Sequence, residues 1–244
     1  MENLFLHLGK FFFKYRNALF PALYLCLFVF TRPGVFLGDP KLDRYVRTLG
    51  ILLALTGQTF RLLVIGFAYI RRGGRDGKVF AESLVQTGFY AHVRNPMYVG
   101  NYLIMLGFVL LYGSLWVYIV ILPFFTLVYY SLVKNEESYL KERFDQEYED
   151  YATKVNRFIP NFKGIAHSLA QYHYDWKKVL RKEYGTLTFV LCGMFIMMIW
   201  KDIIIFGYDN TRIEIVILSA LLSLIVIFYG TIRYLKKTGR LRSE

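Results

Sequence analysis

The sequence has little cysteine, little histidine and far fewer acidic than basic residues. Its two cysteines, Cys26 and Cys192, lie inside apolar runs, which excludes a disulfide scaffold, and with only four histidines they leave no Cys/His cluster for zinc. The 18 acidic residues stand against 30 basic ones, for a net charge of +12, yet 55% of the chain is hydrophobic and 18% is aromatic. Such an apolar chain must keep its charges in loops. The composition therefore indicates a membrane protein with several spans.

Motifs of the soluble nucleotide-binding folds are also missing. Neither G-x-G-x-x-G nor G-x-x-x-x-G-K-[ST] occurs, and Gly73, Gly74 and Gly77 follow no predicted strand. The G-G-R-D-G composition predicts a flexible loop instead. A cofactor, if one binds, is therefore expected to bind without a Rossmann fold, and nucleic acid is not an expected partner.

Six stretches approach the roughly 20 apolar residues that a helix needs to cross a bilayer core about 30 Å thick. They are 18–37, 46–70, 98–112, 114–133, 186–206 and 213–232. Arg32, Pro33 and Gly34 interrupt the first, but no A-x-A cleavage site follows it, so we predict a retained span rather than a signal peptide. The third and fourth form a tight hairpin around Gly113. We predict an all-α, polytopic integral membrane helical bundle of about six spans.

The basic residues predict the orientation of the bundle. The N-terminal tail, segments 71–97 and 134–185 and the C-terminal tail together hold 23 of the 30 Lys and Arg residues. The opposite loops hold six, Arg47 and Lys201 among them, and Arg61 is left inside a span. By the positive-inside rule, both termini and both long loops are predicted to be cytoplasmic. An arginine within a span is by default a candidate functional residue, although snorkelling to the membrane edge explains Arg61 equally well.

A change in composition near Gly164 divides the chain. We predict a functional unit over 1–163 and, over 164–244, a basic connector followed by a two-span hairpin. Within the first unit, 136–152 (EESYLKERFDQEYEDYA) spaces its apolar residues by four, four and three, as one stripe of a helix does. The stripe consists of Leu140, Phe144, Tyr148 and Tyr151. This segment predicts a helix at the membrane surface that continues from the fourth span.

The most informative stretch is 84–102, LVQTGFYAHVRNPMYVGNY, followed beyond the fourth span by a Glu-Glu pair. It resembles the integral membrane methyltransferases of the isoprenylcysteine carboxyl methyltransferase and phospholipid methyltransferase group. Their pattern is G-x-Y-x-x-x-R-H-P-x-Y-x-G, then E-E, then F-G-x-x-Y-x-x-Y and a later proline. The corresponding residues here are Gly88, Tyr90, Arg94, Asn95, Pro96, Tyr98, Gly100, Glu136, Glu137, Phe144, Asp145, Tyr148, Tyr151, Val155 and Pro160. The resemblance covers about 75–163.

The resemblance implies an S-adenosyl-L-methionine-dependent methyltransferase with a cytosolic cofactor pocket and no metal. The residues it assigns to the cofactor are Glu82, Ser83, Leu84, Val85, Tyr90, Asn95, Pro96, Met97, Tyr98 and Glu136. Arg94 is the candidate catalytic residue, because a guanidinium can orient an anionic acceptor oxygen. Arg61, Asn101 and Glu137 are candidates for the acceptor side.

Two positions depart from the pattern. Asn95 stands where the family usually has His, and an amide can donate and accept hydrogen bonds but offers no imidazole chemistry. The eukaryotic prenylcysteine enzymes also carry an Arg one helical turn before the first Glu, where this chain has Leu132. Lys134 is close in sequence but on a different helix face. The acceptor is therefore not restricted to a prenylcysteine.

The residue types also suit the chemistry of the cofactor. S-adenosylmethionine is a sulfonium cation with an amino-acid tail, so it needs an acid for its ammonium group and aromatic faces for its cation, which Glu136, Tyr90 and Tyr98 supply. Glu137 is expected to pair with Lys141 at i,i+4 on the surface, which leaves Glu136 as the ligand. Pro96 is expected to begin the third span, since its ring fixes φ.

These observations lead to one preferred function and two alternatives. The preferred function is methyl transfer to an anionic oxygen, a carboxylate or a phosphate, on the head of a lipid or isoprenoid acceptor that enters from the bilayer. One alternative is N-methylation of a phospholipid amine, which requires a base that the sequence does not reveal. The other is a non-catalytic lipid-binding or assembly module. The oligomeric state stays open.

Overall fold

The computed structural model describes residues 2–67, 72–75 and 78–241. Its helices are α1 (Glu2–Phe30), α2 (Pro40–Phe67), α3 (Pro96–Tyr112), α4 (Leu122–Lys154), α5 (Ile165–Ala170), α6 (Trp176–Phe206) and α7 (Tyr208–Lys237). Short 3-10 turns occupy Phe36–Gly38 and Gly88–Ala91, and a π-helical turn, Val117–Ile121, leads into α4. The long helices confirm the predicted all-α membrane bundle.

A small β-hairpin lies between α2 and α3. Its strands, β1 (Arg72–Arg75) and β2 (Lys78–Ala81), pair antiparallel with Arg72 opposite Ala81. The prediction that Gly73 and Gly74 form a flexible loop is therefore wrong, because both belong to β1; Gly77 lies outside the described residues. The glycine-rich composition of this segment gave no sign of the strand that contains Gly73 and Gly74.

Four helices within the described ranges are long and apolar enough to cross a bilayer. They are Pro40–Phe67, Val117–Lys154, Trp176–Phe206 and Tyr208–Lys237. The other two predicted spans correspond to shorter apolar helices, Pro21–Phe30 and Pro96–Tyr112. The chain is thus an integral membrane protein in which four of the six predicted spans are full-length apolar helices and the other two are shorter.

The first helix ends earlier than the predicted span 18–37. It starts at Glu2 and stops at Phe30, so 31–37 is wrongly included in that span. The cause is Pro33, which lacks an N–H to continue the helical ladder and disfavours helical geometry at Arg32. The polar start of α1 was not predicted, because only its second half is strongly apolar.

Helices α2 and α3 approach each other through glycines. A Cβ placed on Gly57 would lie 2.5 Å from the carbonyl oxygen of Gly100, and one on Gly107 would lie 2.5 Å from that of Gly50. Small residues allow this close backbone contact, which is how membrane helices gain packing energy where no hydrophobic effect drives association. The two glycine pairs fix α3, and hence the chain that precedes it, against α2.

Helix α6 is tied to α2 by buried ion pairs. Arg47 donates to both carboxylate oxygens of Asp202, at 2.5 and 2.8 Å, and the ammonium of Lys201 donates to Asp43 at 2.8 Å. Lys201 is fully buried. The prediction that Arg47 and Lys201 lie in loops is therefore wrong: each lies inside a helix, where a nearby carboxylate neutralises it.

Helix α7 adds to the bundle, and the end of α4 forms the segment predicted to lie at the membrane surface. Helix α7 packs along α6, with the rings of Tyr184 and Tyr229 stacked 5.2 Å apart. Helix α4 extends to Lys154 with a kink at Asp145, where φ is +39°, so the fourth span does continue into a second helical piece, as predicted. Of the four residues of the apolar stripe, Leu140, Tyr148 and Tyr151 are buried and Phe144 is half-buried, as the periodicity predicts.

We expect Gly57→Ala to destabilise the protein and Gly230→Ala not to. The added methyl at Gly57 would overlap the backbone of α3, and overpacking of this kind costs about 1–3 kcal/mol. A Cβ at Gly230 on α7 meets nothing within 4 Å, so that variant should gain helix propensity. Thermal unfolding in detergent, followed by tryptophan fluorescence, measures both. Equal midpoints for the two variants would show that the glycine contact is not tight.

Candidate functional site

The site is built from the loop before α3, the start of α3, the C-terminal half of α4 and the chain that follows α4. Asn95 is the N-cap of α3 and Pro96 occupies its first turn, as predicted. The N–H of Arg94 donates to the carbonyl of Asn156 at 2.9 Å, and the N–H of Asn161 donates to that of His92 at 3.0 Å. These two bonds hold the Arg-Asn-Pro segment against the chain leaving α4.

Glu136 and Tyr98 form one contact of this site. The Tyr98 hydroxyl donates to the Oε1 of Glu136 at 2.7 Å. The Tyr98 ring lies 6.0 Å from the Tyr129 ring in an edge-to-face arrangement, and Tyr129 stands two helical turns before Glu136 on α4. The predicted cofactor acid is therefore joined, through two aromatic rings, to the interior of the bundle.

Glu137 makes a second, more deeply buried contact. Its side chain is 8% exposed, and it accepts from the Nε of Arg157 at 2.8 Å and from the Nδ2 of Asn95 at 3.2 Å. A terminal nitrogen of Arg94 lies 3.5 Å from Oε1 of Glu137, the oxygen that also accepts from Asn95. The expected surface pair with Lys141 is wrong, since Lys141 pairs with Glu149 at 2.7 Å. Glu137 is turned inward because two arginines and an amide converge on it.

The Glu137 charge also acts on Arg157. Partial burial alone would lower the pKa of this guanidinium, but the hydrogen bond and the charge of Glu137 outweigh burial and raise the pKa above its ordinary value. Arg157 therefore stays cationic, and Glu137 has the charge partner that a buried carboxylate needs.

Two buried polar atoms beside this contact are unsatisfied. The Nε of Arg94 and the Oδ1 of Asn95 have no hydrogen-bond partner among the described residues. Leaving a buried donor or acceptor unpaired costs about 1–3 kcal/mol, so such atoms are uncommon in a folded chain. One is a donor and the other an acceptor, and a ligand that carries both an anionic and a cationic group would satisfy them.

The other predicted cofactor residues lie in two further places. Tyr90 and Val85 are buried together with Val64 and Phe89, with Met97 packed against them. Tyr90 also accepts, through its carbonyl, from the Tyr151 hydroxyl at 2.7 Å.

Glu82 and Ser83 are exposed just after β2, and Leu84 packs against the Leu140 cluster. The described contacts thus join Tyr98 to Glu136, and Arg94 and Asn95 to Glu137. They do not join Glu82 or Ser83 to either acid.

A cavity of about 410 Å³ lies among α1, α3, α4 and α6. Its wall is mainly apolar, and the polar side chains at it include Arg16, Asn101 and Tyr129. The contribution of α6 comes from Gly185, Thr186, Phe189 and Val190. Because Tyr129 belongs both to the cavity wall and to the aromatic contact with Tyr98, the cavity adjoins the Glu136 side of the site.

The three acceptor-side candidates separate in the structure. Arg61 is buried and donates to both carboxylate oxygens of Glu183, at 3.1 and 2.6 Å, and to the Oδ1 of Asn101. Of these residues, Asn101 reaches the cavity wall, whereas Glu137 belongs to the arginine contact described above. Arg61 does not snorkel to the membrane edge, because Glu183 neutralises it inside the bundle.

Sequence reasoning missed Arg157, Glu183 and Tyr129. Glu183 carried a usable signal, since it is an acid that directly follows the basic run 177–182, just before the predicted span 186–206. Arg157 carried none, because nothing in the sequence shows that the chain after α4 turns back toward Glu137. No group of three or more metal-ligating side chains is found in the part of the chain that the structure describes.

We expect the two neighbouring acids to respond differently to the same change. Glu137→Gln leaves two arginines facing a neutral amide, and breaking a buried pair in this way costs about 3 kcal/mol or more. Glu136 is only half-buried and a glutamine there keeps an oxygen for Tyr98, so Glu136→Gln should cost less than Glu137→Gln. Unfolding midpoints in detergent compare the two. A Glu136→Gln variant as unstable as Glu137→Gln would contradict this division.

Comparisons with known proteins identify the central segment. The phospholipid methyltransferase family model matches residues 45–147. The protein-S-isoprenylcysteine O-methyltransferase of Schizosaccharomyces pombe is 34% identical over 158 residues, which is 62% of this chain and 60% of that protein. No solved structure shows a significant match.

Two bacterial relatives match over a shorter length. The nickel-cobalt-cadmium resistance protein NccN of Alcaligenes xylosoxydans xylosoxydans is 29% identical over 47% of this chain and 48% of its own. The cobalt-zinc-cadmium resistance protein CzcN of Cupriavidus metallidurans is 32% identical over 46% of each. The chain spans between about half and three fifths of the length of these relatives.

The family match includes the Arg-Asn-Pro segment, both acids and all of α3. It stops before Arg157 and before the whole of α6. The comparisons thus confirm the resemblance seen in the sequence: the segment 45–147 is similar to the phospholipid methyltransferase family.

Proposed function

We propose that the protein is a membrane methyltransferase that transfers a methyl group from S-adenosylmethionine to an anionic oxygen on a lipid or isoprenoid acceptor. The observation that carries the proposal is the continuity from Glu136 through Tyr98 and Tyr129 to a largely apolar cavity between membrane helices. A polar cofactor on one side and an apolar-tailed acceptor on the other would meet at these aromatic rings. The name of the S. pombe relative, an O-methyltransferase, agrees with an oxygen acceptor.

The residues present fit the cofactor. S-adenosylmethionine carries an ammonium group, a carboxylate and a sulfonium, and when bound it supplies an electrophilic methyl group. Glu136 and the unsatisfied Oδ1 of Asn95 can accept from an ammonium, and the face of Tyr98 can lie against a cation. We assign Pro96 and Met97 to the same wall of the pocket. Tyr90 and Val85, which are buried in the cluster against which Met97 packs, would support this wall.

Exposure separates the remaining candidates. We assign Glu82, Ser83 and Leu84 to the rim of the pocket, since the first two are exposed directly after β2. The rim would then consist of backbone and polar side chains open to the cytosol, from which a soluble cofactor must enter.

Arg94 is the proposed catalytic residue. Its unsatisfied Nε–H can donate to an anionic acceptor oxygen, while Glu137 holds its far end. A carboxylate or phosphate oxygen is already a nucleophile, so in-line displacement at the methyl group needs no general base. The chain contributes orientation and exclusion of water, which are the main sources of acceleration for a displacement of this kind.

The sidedness of the site is part of the proposal. The ends of α2, α3 and α6 that surround the Glu136 and Glu137 contacts adjoin the segments richest in Lys and Arg. The positive-inside rule therefore supports a cytoplasmic active site and cytoplasmic termini. We further propose that 1–163 holds the methyl-transfer residues and that 164–244 closes the acceptor side, since α6 forms part of the cavity wall.

Calorimetry with S-adenosylhomocysteine in detergent tests the cofactor site. We expect saturable binding to the purified protein and at least about tenfold weaker binding by Glu136→Gln, because a charge-assisted bond of about 1.5–3 kcal/mol is lost. Glu142→Gln is the matched control: it lies on the same helix, is exposed and should bind normally. The absence of saturable binding, or equal binding by both variants, would refute the enzyme as described.

Methyl-labelled cofactor identifies the acceptor. Purified protein incubated with labelled S-adenosylmethionine and a membrane lipid extract should place the label on an ester oxygen, which mild alkali releases as methanol. Label that resists alkali and lies on an amine would show that the protein N-methylates a phospholipid. A protein that binds S-adenosylhomocysteine yet labels no lipid fraction, with or without added prenylcysteine, would favour the non-catalytic module.

A further inference from the structure

One side chain at the cavity wall, Asn101, has its amide orientation fixed by a hydrogen bond on the side away from the cavity. Asn101 reaches the cavity, and its Oδ1 accepts from the Nη1 of Arg61. An arginine has donors only, so the amide oxygen must face Arg61 and the amide N–H groups must face elsewhere. The orientation of this amide is thus fixed by chemistry rather than by a choice between two equivalent flips.

Arg61 in turn is fixed by Glu183. The carboxylate takes the side-on pair of guanidinium donors, at 3.1 and 2.6 Å, and the side chains of the pair are only 9% and 5% exposed. A bidentate pair of this geometry sets the plane of the guanidinium and cancels its charge. The cavity therefore meets a neutral, oriented N–H donor at Asn101 instead of a bare cation.

We propose that Glu183 is a positioning residue that, through Arg61, holds the Asn101 amide N–H toward the cavity and so selects an acceptor oxygen over an amine. The inference rests on the proposed function and adds to it the residues that recognise the acceptor. An oxygen can accept from the Asn101 amide, whereas a protonated amine has only donors and would face another donor. Glu183 lies on α6, outside the segment 45–147 that matches the family.

Arg16 supports the same preference. It lies at the wall of the same cavity from α1, and its guanidinium sits 4.0 Å from the centre of the Phe13 ring. A cation here favours an anionic head group over a cationic one. Asn101 supplies the oriented donor and Arg16 supplies charge, so both disfavour an ammonium.

The test compares two probes that differ only in their polar end. S-farnesyl-3-mercaptopropionate ends in a carboxylate and S-farnesylcysteamine ends in an amine. Their affinities for the full chain in detergent are measured by calorimetry without cofactor, so the result does not depend on turnover. We expect the wild-type protein to bind the acid about tenfold more tightly, the effect of one hydrogen bond to a charged group. Equal binding of both probes, or tighter binding of the amine, would overturn the proposal.

The chain offers a closely matched control for the positioning role. The double variant Arg61→Met/Glu183→Leu removes the pair behind Asn101 without leaving a lone charge, and Arg47→Met/Asp202→Leu does the same to the other bidentate pair between α2 and α6. Such apolar replacement is often neutral for stability. We expect the first double variant to lose the part of the acid preference that Asn101 supplies, because its amide can then flip, and the second to keep the full preference.

Replacing Asn101 itself gives an independent measurement. Asn101→Asp puts an acceptor where the donor stands and should shift the preference toward the amine, while Asn101→Leu should reduce the preference to the part that the Arg16 charge supplies. A preference unchanged in Asn101→Leu, or lost equally in both double variants, would overturn the assignment. S-adenosylhomocysteine binding is measured in parallel on the wild-type protein and on every variant. If the wild-type protein does not bind S-adenosylhomocysteine, the proposed enzyme is refuted. A changed probe preference in a variant that still binds S-adenosylhomocysteine concerns the acceptor residues alone.

Discussion

The structure depends on the pairing of charges that lie inside an apolar bundle. Arg47 and Arg61 sit on α2, and each is held by a carboxylate of α6, Asp202 and Glu183. An unpaired charge among membrane helices costs several kcal/mol, so these partners tolerate only a small shift along the helix axis. The two pairs lie near opposite ends of α6 and therefore set its register. That register brings 185–190 to the cavity wall.

Two adjacent acids on α4 show how one helix can separate structure from chemistry. Successive helical residues point about 100° apart, so Glu136 faces Tyr98 on α3 while Glu137 faces the chain beyond α4. Glu137 is committed to Arg157 and Asn95, which closes the Arg-Asn-Pro loop onto the end of α4. Glu136 is less buried and accepts from the Tyr98 hydroxyl. In the proposed enzyme, one acid of the Glu-Glu pair would therefore hold the loop in place and the other would contact the cofactor.

Much of this could be predicted from the sequence, because hydrophobic runs, Pro96 at a helix start and the apolar stripe of 140–151 are local signals. What failed was non-local. Whether Glu137 pairs with Lys141 or with Arg157 depends on where the chain returns after α4. Likewise, Lys201 can be buried only because Asp43, which is distant in the sequence, lies beside it. Counting charges along the chain cannot distinguish a loop lysine from one that a carboxylate neutralises inside a helix. The glycine contact of α2 and α3 was visible in the spacing of seven residues but has meaning only for two helices together.

The division between the matched segment and α6 explains how related chains could differ in what they methylate. The Arg-Asn-Pro segment, both acids and Asn101 lie within 45–147, whereas Glu183 and the α6 wall of the cavity lie beyond it. In the proposed enzyme the cofactor side would then depend on one segment and the acceptor side on contacts between that segment and a separate helix. A substitution in α6 can alter the polarity or the width of the cavity without touching Glu136 or Tyr98. In the proposed enzyme, acceptor choice is therefore the property that substitutions in α6 would change most directly.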